Sequence, residues 1–148
     1  MREIVVDASV VLKWYLPDEF WGNRALRLLD MHVRGEVALL APTLLPYEVL
    51  NALLVAERRG RADERLTEQS FEAFWGLELT LVDPFALNML ALARPFSRSA
   101  YDAAYLSLAE AKKTDLLTDD KRLYRATRER LKWVRWIGED TLSEFLGA

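Results

Sequence analysis

The chain has 148 residues, 51% apolar and 29% charged, which fits one domain of ordinary size and excludes a disordered or low-complexity polymer. It has no cysteine, which removes disulfide scaffolding and thiolate chemistry, and one histidine, His32, which argues against a histidine-based metal cluster or a Ser-His-Asp triad, so oxygen is expected to ligate any metal. A net charge of −3, from 20 basic and 23 acidic residues, provides no whole-molecule basic footprint, so any contact with nucleic acid must be local.

The first residues lack a cationic stretch leading into an apolar signal core, and no apolar run reaches the ~20 residues that cross a bilayer. A cytoplasmic location with no membrane partner is the expectation. No repeat or linker interrupts the chain, so residues 1–148 are expected to form a single domain. Ile4-Val5-Val6 predicts a first strand stopped by Asp7, and Trp21–Val33 predicts a helix. Val37–Ala41 predicts the second strand. Pro46 sits well in the first turn of the helix that follows, whose apolar positions Val49, Leu50, Leu53 and Ala56 run to Arg58-Arg59-Gly60. Asp63–Trp75 continues as a second helix.

Leu79–Val82 predicts a third strand, and Asp83-Pro84 a cap that starts a helix over Pro84–Ala93. Ala100–Lys112 is an Ala-rich helix, Leu116-Leu117 a strand, Lys121–Arg130 a basic helix, Trp133–Ile137 a last strand, and Thr141–Phe145 a closing turn of helix. Strands alternating with helices predict an α/β fold with a mostly parallel central sheet, helices on both faces, and right-handed crossovers. The two successive helices between Pro46 and Trp75 make the alternation incomplete.

Open parallel sheets bind ligands beyond the carboxyl ends of their strands. Asp7 ends the first strand there, Asp119 and Asp120 end the Leu116-Leu117 strand, and Glu48 and Asp102 lie in first turns of helices expected to start on the same rim. Each acid taken singly is explained as a helix cap, and Ser99 with Asp102 even matches a capping box. Capping does not explain their shared location. Glu48 shares a face with Leu45, Ala52 and Val55, so its carboxylate is aimed at apolar surroundings and needs a cation, a donor or water. Asp102 aligns in the same way with Tyr105, Leu106 and Ala109. Such a cluster matches Mg²⁺ or Mn²⁺, hard cations that take carboxylates and leave positions for phosphate oxygens, and it supports phosphodiester hydrolysis by activated water.

Four segments resemble the PIN-domain ribonucleases, in particular the VapC-type toxins of toxin–antitoxin pairs: Val6-Asp7-Ala8-Ser9-Val10 with Leu12-Lys13-Trp14; Pro46-Tyr47-Glu48-Val49-Leu50-Asn51-Ala52-Leu53; Ser99-Ala100-Tyr101-Asp102 through Ala109; and Leu117-Thr118-Asp119-Asp120-Lys121-Arg122-Leu123. They stand in the family's order and span almost the whole chain. The resemblance implies a PIN-like three-layer sandwich and a metal-dependent endoribonuclease. Asp7, Glu48, Asp102 and Asp120 would be its acidic quartet, with Asp120 selected over Asp119 by the family's T-x-D pattern. Ser9, Thr118 and Asn51 would support them, unless they cap a helix, make a turn bond and face solvent respectively.

RNA contacts are expected from Lys13, from Arg58 and its neighbours Arg59 and Arg61, and from Lys121 and Arg122, with Arg125 and Arg128 beyond. Tyr15, Phe20, Trp14 and Trp21 would stack on bases or pack a core or interface. The resemblance further implies a homodimer, a higher assembly with the antitoxin, and an antitoxin with an apolar helix and a tail that inserts a basic side chain among the carboxylates; the succession of amphipathic faces places the expected dock in a groove between the Pro46–Arg59 and Asp63–Trp75 helices. The alternative is a catalytically silent RNA- or protein-binding module on the same fold; a DNA-directed nuclease with the same chemistry is a second.

Overall fold

The computed structural model describes residues 1–147, as five strands and eight helices. The strands are β1 (Arg2–Val6), β2 (Val37–Pro42), β3 (Thr80–Val82), β4 (Asp115–Thr118) and β5 (Val134–Trp136), all parallel in the order β3-β2-β1-β4-β5. In β1, Val5 pairs with Leu40 on one side and Leu116 on the other. Ile4, Val5 and Val6 alternate between the two sheet faces, yet all three are fully buried, so helices cover both. The predicted α/β sandwich is what forms.

The helices are α1 (Ala8–Val11, continued by a 3₁₀ turn over Leu12–Trp14), α2 (Gly22–Val33), α3 (Leu45–Arg58), α4 (Glu64–Gly76), α5 (Ala86–Phe96), α6 (Ala100–Lys112), α7 (Lys121–Thr127) and α8 (Leu142–Phe145). In α3, Leu45, Val49, Leu53 and Ala56 enter the core, whereas Leu50 is turned outward. Seven consecutive residues of α6, Ala103–Ala109, are buried between α5 and the sheet; its alanines allow that close approach on all sides. His32 has a structural task, its Nδ1 accepting from the Leu39 N–H at 3.3 Å. No helix among the described residues is long and apolar enough to cross a membrane.

The start of α5 departs from the expected Asp83-Pro84 cap. Phe85 occupies the cap position, and Asp83 instead accepts from Thr43 Oγ1 at 2.8 Å, a contact between the ends of β3 and β2. The helix also runs past Ala93, because Pro95 falls in its last turn and Ser97 closes it at φ 52°.

The chain leaves β1 toward β2 and β3 and then returns across β1 to β4. Strand order therefore reverses between β1 and β4, the place where parallel sheets open a crevice at their carboxyl ends. Asp7 follows β1 and Asp119-Asp120 follow β4 at that point.

Candidate active site

Asp7 caps α1, with Oδ1 accepting from the Val10 N–H at 3.4 Å and from Ser9 Oγ at 2.5 Å, while Thr118 Oγ1 donates to Oδ2. Both hydroxyls also accept: Ser9 Oγ from the Asp119 N–H at 2.8 Å, and Thr118 Oγ1 from the Asp120 N–H at 2.9 Å. Two side chains thus lock the turn after β4 onto the carboxylate after β1. Burial pushes the Asp7 carboxyl up to about 6, against the pull of the three hydrogen bonds, and the charge of Asp120 adds to the rise.

Glu48, in the first turn of α3, is half-buried and accepts from the Tyr105 hydroxyl at 2.5 Å through Oε1. Its pKa is raised by burial first and by Asp102 as well, while the tyrosine bond opposes the rise. Asp102 is raised by burial and then by Asp120, with Arg98 opposing. Ser99, rather than Asp102, does the capping on α6, accepting from the Asp102 N–H at 3.0 Å. The Asp102 carboxylate accepts no hydrogen bond among the described residues, which leaves it free to face its acidic neighbours. Asp120 caps α7, where Oδ1 accepts from the Arg122 and Leu123 N–H groups at 2.9 and 3.1 Å, and it acts on Asp7 and Asp102 alike. Asp7, Asp120, Asp102 and Glu48 form one chain of mutual repulsion. Capping and clustering therefore coexist.

Asp119 has another role. Its Oδ2 lies 2.7 Å from Lys13 Nζ and its Oδ1 accepts from Trp136 Nε1 at 2.9 Å, so both of its oxygens are engaged. Lys13 is the clearest correction to the expected RNA contacts. Its side chain is 1% exposed and its ammonium lies between Asp119 and, at 3.4 Å, Glu19, so it is not available to a phosphate. Arg61 is likewise engaged, by Asp18 at 2.8 Å and Glu19 at 2.6 Å. Arg58, Lys121 and Arg122 are exposed, as is Asn51, which makes no side-chain hydrogen bond among the described residues. Trp14 is core, its indole N–H donating to the Ala25 carbonyl, whereas Phe20 is 83% exposed. Tyr105 and Trp136 were not legible as site residues. Tyr105 shares the Asp102 face and was readable only as apolar packing, and nothing in local spacing ties Trp136 to Asp119.

The donor set is all oxygen, and its acids repel one another, which is the condition a divalent cation relieves. Among the described residues no three acidic side chains are close enough together to hold an ion unaided. Mg²⁺ keeps several waters and takes one or two carboxylates with phosphate oxygens, so two of these acids would suffice for it. The residues fit such an ion.

A sequence model for the PIN domain matches residues 4–129. The chain is 34% identical over 125 residues to Ribonuclease VapC3 of Pyrobaculum aerophilum, covering 82% of this chain and 92% of that protein. The crystal structure of PAE2754 from Pyrobaculum aerophilum superposes with a TM-score of 0.68 at 26% identity, covering 99% of this chain and 97% of that one. The matched span contains the carboxyl ends of both strands at the order reversal and all four clustered acids. By fold, by sequence and by the segments that build this crevice, the chain belongs to the PIN-domain family.

Proposed function

We propose that this chain is a metal-dependent endoribonuclease that hydrolyses RNA phosphodiester bonds, and that it is the cytoplasmic toxin of a VapBC-type toxin–antitoxin pair. The observation that carries the proposal is a buried Asp7, fixed by Ser9 and Thr118 at the order reversal and coupled to Asp120, which in turn acts on Asp102 as Asp102 does on Glu48. Similarity to a ribonuclease of the VapC type supports the choice of substrate and of an antitoxin partner.

Mg²⁺ or Mn²⁺ would be held by Asp120 with Asp7 or Asp102, Glu48 standing beside them, and waters and phosphate oxygens would complete its shell. When bound, such an ion activates water and offsets charge building on the phosphate. Glu48 is oriented through Oε1 by Tyr105, which leaves Oε2 to accept a proton from attacking water; its raised pKa suits that role. Ser9 and Thr118 keep Asp7 oriented and hold the Asp119-Asp120 turn in register.

A groove of about 680 Å³ lies between α3 and α4, lined by Pro46, Tyr47, Leu50, Phe71 and Trp75, with Leu81 of β3 at its side. It is the surface we assign to the apolar helix of the antitoxin. A homodimer, extended by the antitoxin to a higher assembly, completes the proposal.

The test compares wild type, Asp120→Asn and Asp119→Asn on RNA and DNA of one sequence, with Mn²⁺ or with EDTA. Wild type is expected to cut RNA only with metal and to spare DNA. Asp120→Asn is expected to lose activity by about 10³-fold or more, while Asp119→Asn retains it within about tenfold. The reverse ranking of the two aspartates would overturn the assignment, and RNA cleavage unchanged in EDTA would overturn the metal.

A further inference from the structure

Five charged side chains from three segments of the chain stand in alternating order beside the acidic site. Asp119 meets Lys13 at 2.7 Å, Lys13 meets Glu19 at 3.4 Å, Glu19 meets Arg61 at 2.6 Å, and Arg61 donates to both oxygens of Asp18 at 2.8 and 2.9 Å. Side-chain exposure rises along this ladder from 1% at Lys13 to 51% at Asp18, so its inner end is shielded from water and its outer end is not.

The inner end is the turn that carries Asp120: the Asp119 N–H donates to Ser9 Oγ at 2.8 Å, and Ser9 donates to Asp7 at 2.5 Å. The outer end is fixed to α3. That helix closes on Gly60 at φ 76°, with the Arg61 N–H donating to the Ala56 carbonyl at 2.8 Å and the Gly60 N–H to that of Glu57 at 3.0 Å, so Arg61 leaves the helix in a set direction. The same helix bears Glu48 in its first turn. The ladder therefore ties the helix of Glu48, which follows β2, to the turn of Asp119 and Asp120, which follows β4, across the intervening β1.

Stability does not account for such an arrangement, because desolvation offsets the attraction of a buried ion pair and apolar side chains of the same volume do as well or better. What the pairs do supply is register. Each charge accepts a partner of opposite sign at one place, and a catalytic constellation needs its groups held to within about 0.5 Å. We propose that Glu19 and Arg61 are positioning residues for RNA cleavage: they hold the Lys13 ammonium on Asp119, and through the Asp119 N–H and Ser9 they set Asp7 and Asp120 relative to Glu48. The inference rests on the ribonuclease reading above and adds two residues that act through others. It also gives Arg61 a task other than contact with RNA.

The test compares Glu19→Gln, Arg61→Ala and Arg61→Lys with wild type by two readouts: cleavage kinetics on an RNA oligonucleotide with Mn²⁺, and amide hydrogen exchange of the metal-free protein in EDTA, followed by NMR. Glu19→Gln and Arg61→Ala are each expected to lower kcat by about fivefold with KM within about twofold, and to speed exchange of the Asp119 N–H by about fivefold or more. The Asp102 N–H, held by Ser99 in the same manner at 3.0 Å, should exchange as in wild type. Arg61→Lys keeps the charge that meets Glu19 and gives up only the fork on Asp18, so kcat should return to within about twofold of wild type. Glu19→Gln/Arg61→Ala should lose no more than either single variant, since the two act along one path. Arg34→Ala, which breaks an exposed pair with Asp30 outside the ladder, should change neither readout. An unchanged kcat in both Glu19→Gln and Arg61→Ala would overturn the inference. So would Asp119 and Asp102 N–H groups that speed up together, which would make the ladder a brace for the whole fold. A raised KM in Arg61→Ala, with a salt slope lower by about one, would overturn it as well and make Arg61 a phosphate contact. Failure of the nuclease reading is separate: wild type would cut no RNA, while exchange of the Asp119 N–H would still respond to Glu19 and Arg61.

Discussion

Asp7→Asn is expected to abolish RNA cleavage, by about 10³-fold or more, and at the same time to raise the melting temperature of the metal-free protein near neutral pH. The two effects have one cause. In the folded chain burial holds the Asp7 carboxyl up at about 6, while its ordinary value is 3.8. Between those values the native state binds a proton that the unfolded state has lost, so this stabilisation is complete below the ordinary value and disappears as pH rises through the folded one. At neutral pH wild type therefore carries a buried negative charge that costs on the order of 3 kcal/mol. Glu48 and Asp102 shift in the same direction and steepen the fall. The amide of Asn is neutral at every pH and nearly the same shape, and the Ser9 and Thr118 hydroxyls can turn to accept as well as donate. Melting curves of the two proteins in EDTA should separate at about pH 8, with Asp7→Asn the more stable, and converge at about pH 4. An Asn variant less stable than wild type across that range would mean that Asp7 is a structural cap and that its charge is not under strain.

Lys13→Met should be among the most destabilising single changes in the molecule. It leaves Asp119 negatively charged, with only the Trp136 indole to answer it, and breaking a mostly buried pair from one side costs on the order of 3 kcal/mol. For a chain of this length that corresponds to a melting temperature lower by roughly 6 to 12 °C. Activity should fall as well, by about 10- to 100-fold, because the Asp119 N–H is bonded to Ser9 Oγ and Ser9 to Asp7, so a loosened turn releases the carboxylate. Lys13→Met/Asp119→Asn should recover most of the stability, since the uncompensated charge is gone and the amide oxygen can still take the Trp136 N–H. If the double variant were as unstable as the two single losses added together, Lys13 would be acting through packing of its aliphatic stem instead of its charge.

These two residues also mark how far local sequence carries. Asp7, Glu48, Asp102 and Asp120 were readable because each lies next to a strand end or a helix start, features set by hydrophobic period over a few residues. A parallel sheet then brings such ends to one rim. The preference for Asp120 comes from the resemblance and its T-x-D pattern, and the structure adds a physical distinction, in that Asp119 is held by Lys13 and Trp136. Lys13 reads locally as a surface cation because the nearer of its two partners, Asp119, lies more than a hundred residues away, and Glu19 sits in the loop that follows, outside any helical or strand period. Tyr105 was legible as a buried residue and not as the donor to Glu48, since its hydroxyl depends on how α6 meets α3 across the sheet. The misplaced start of α5 has a similar origin: Asp83 had a cap to offer, and Thr43 on the neighbouring strand end took it. Burial in the core was read more surely than polar pairing, because apolar contact is non-directional and a hydrogen bond needs a particular partner.

The proposed mechanism requires that the acids around the β1–β4 reversal bind a divalent cation and that RNA hydrolysis depend on it. Its most direct test is a thermal-shift titration of metal-free wild type and Asp7→Asn with Mn²⁺, with cleavage of a mixed RNA pool followed in the same samples. In wild type, Mn²⁺ at about 100 times its dissociation constant should add roughly 2.7 kcal/mol of stability, and cleavage should rise along the same saturation curve. Asp7→Asn should show neither response. Melting curves that ignore Mn²⁺ in both proteins, or RNA cleavage that saturates without any metal-dependent gain in stability, would contradict the claim and leave the acids as helix caps on a binding module.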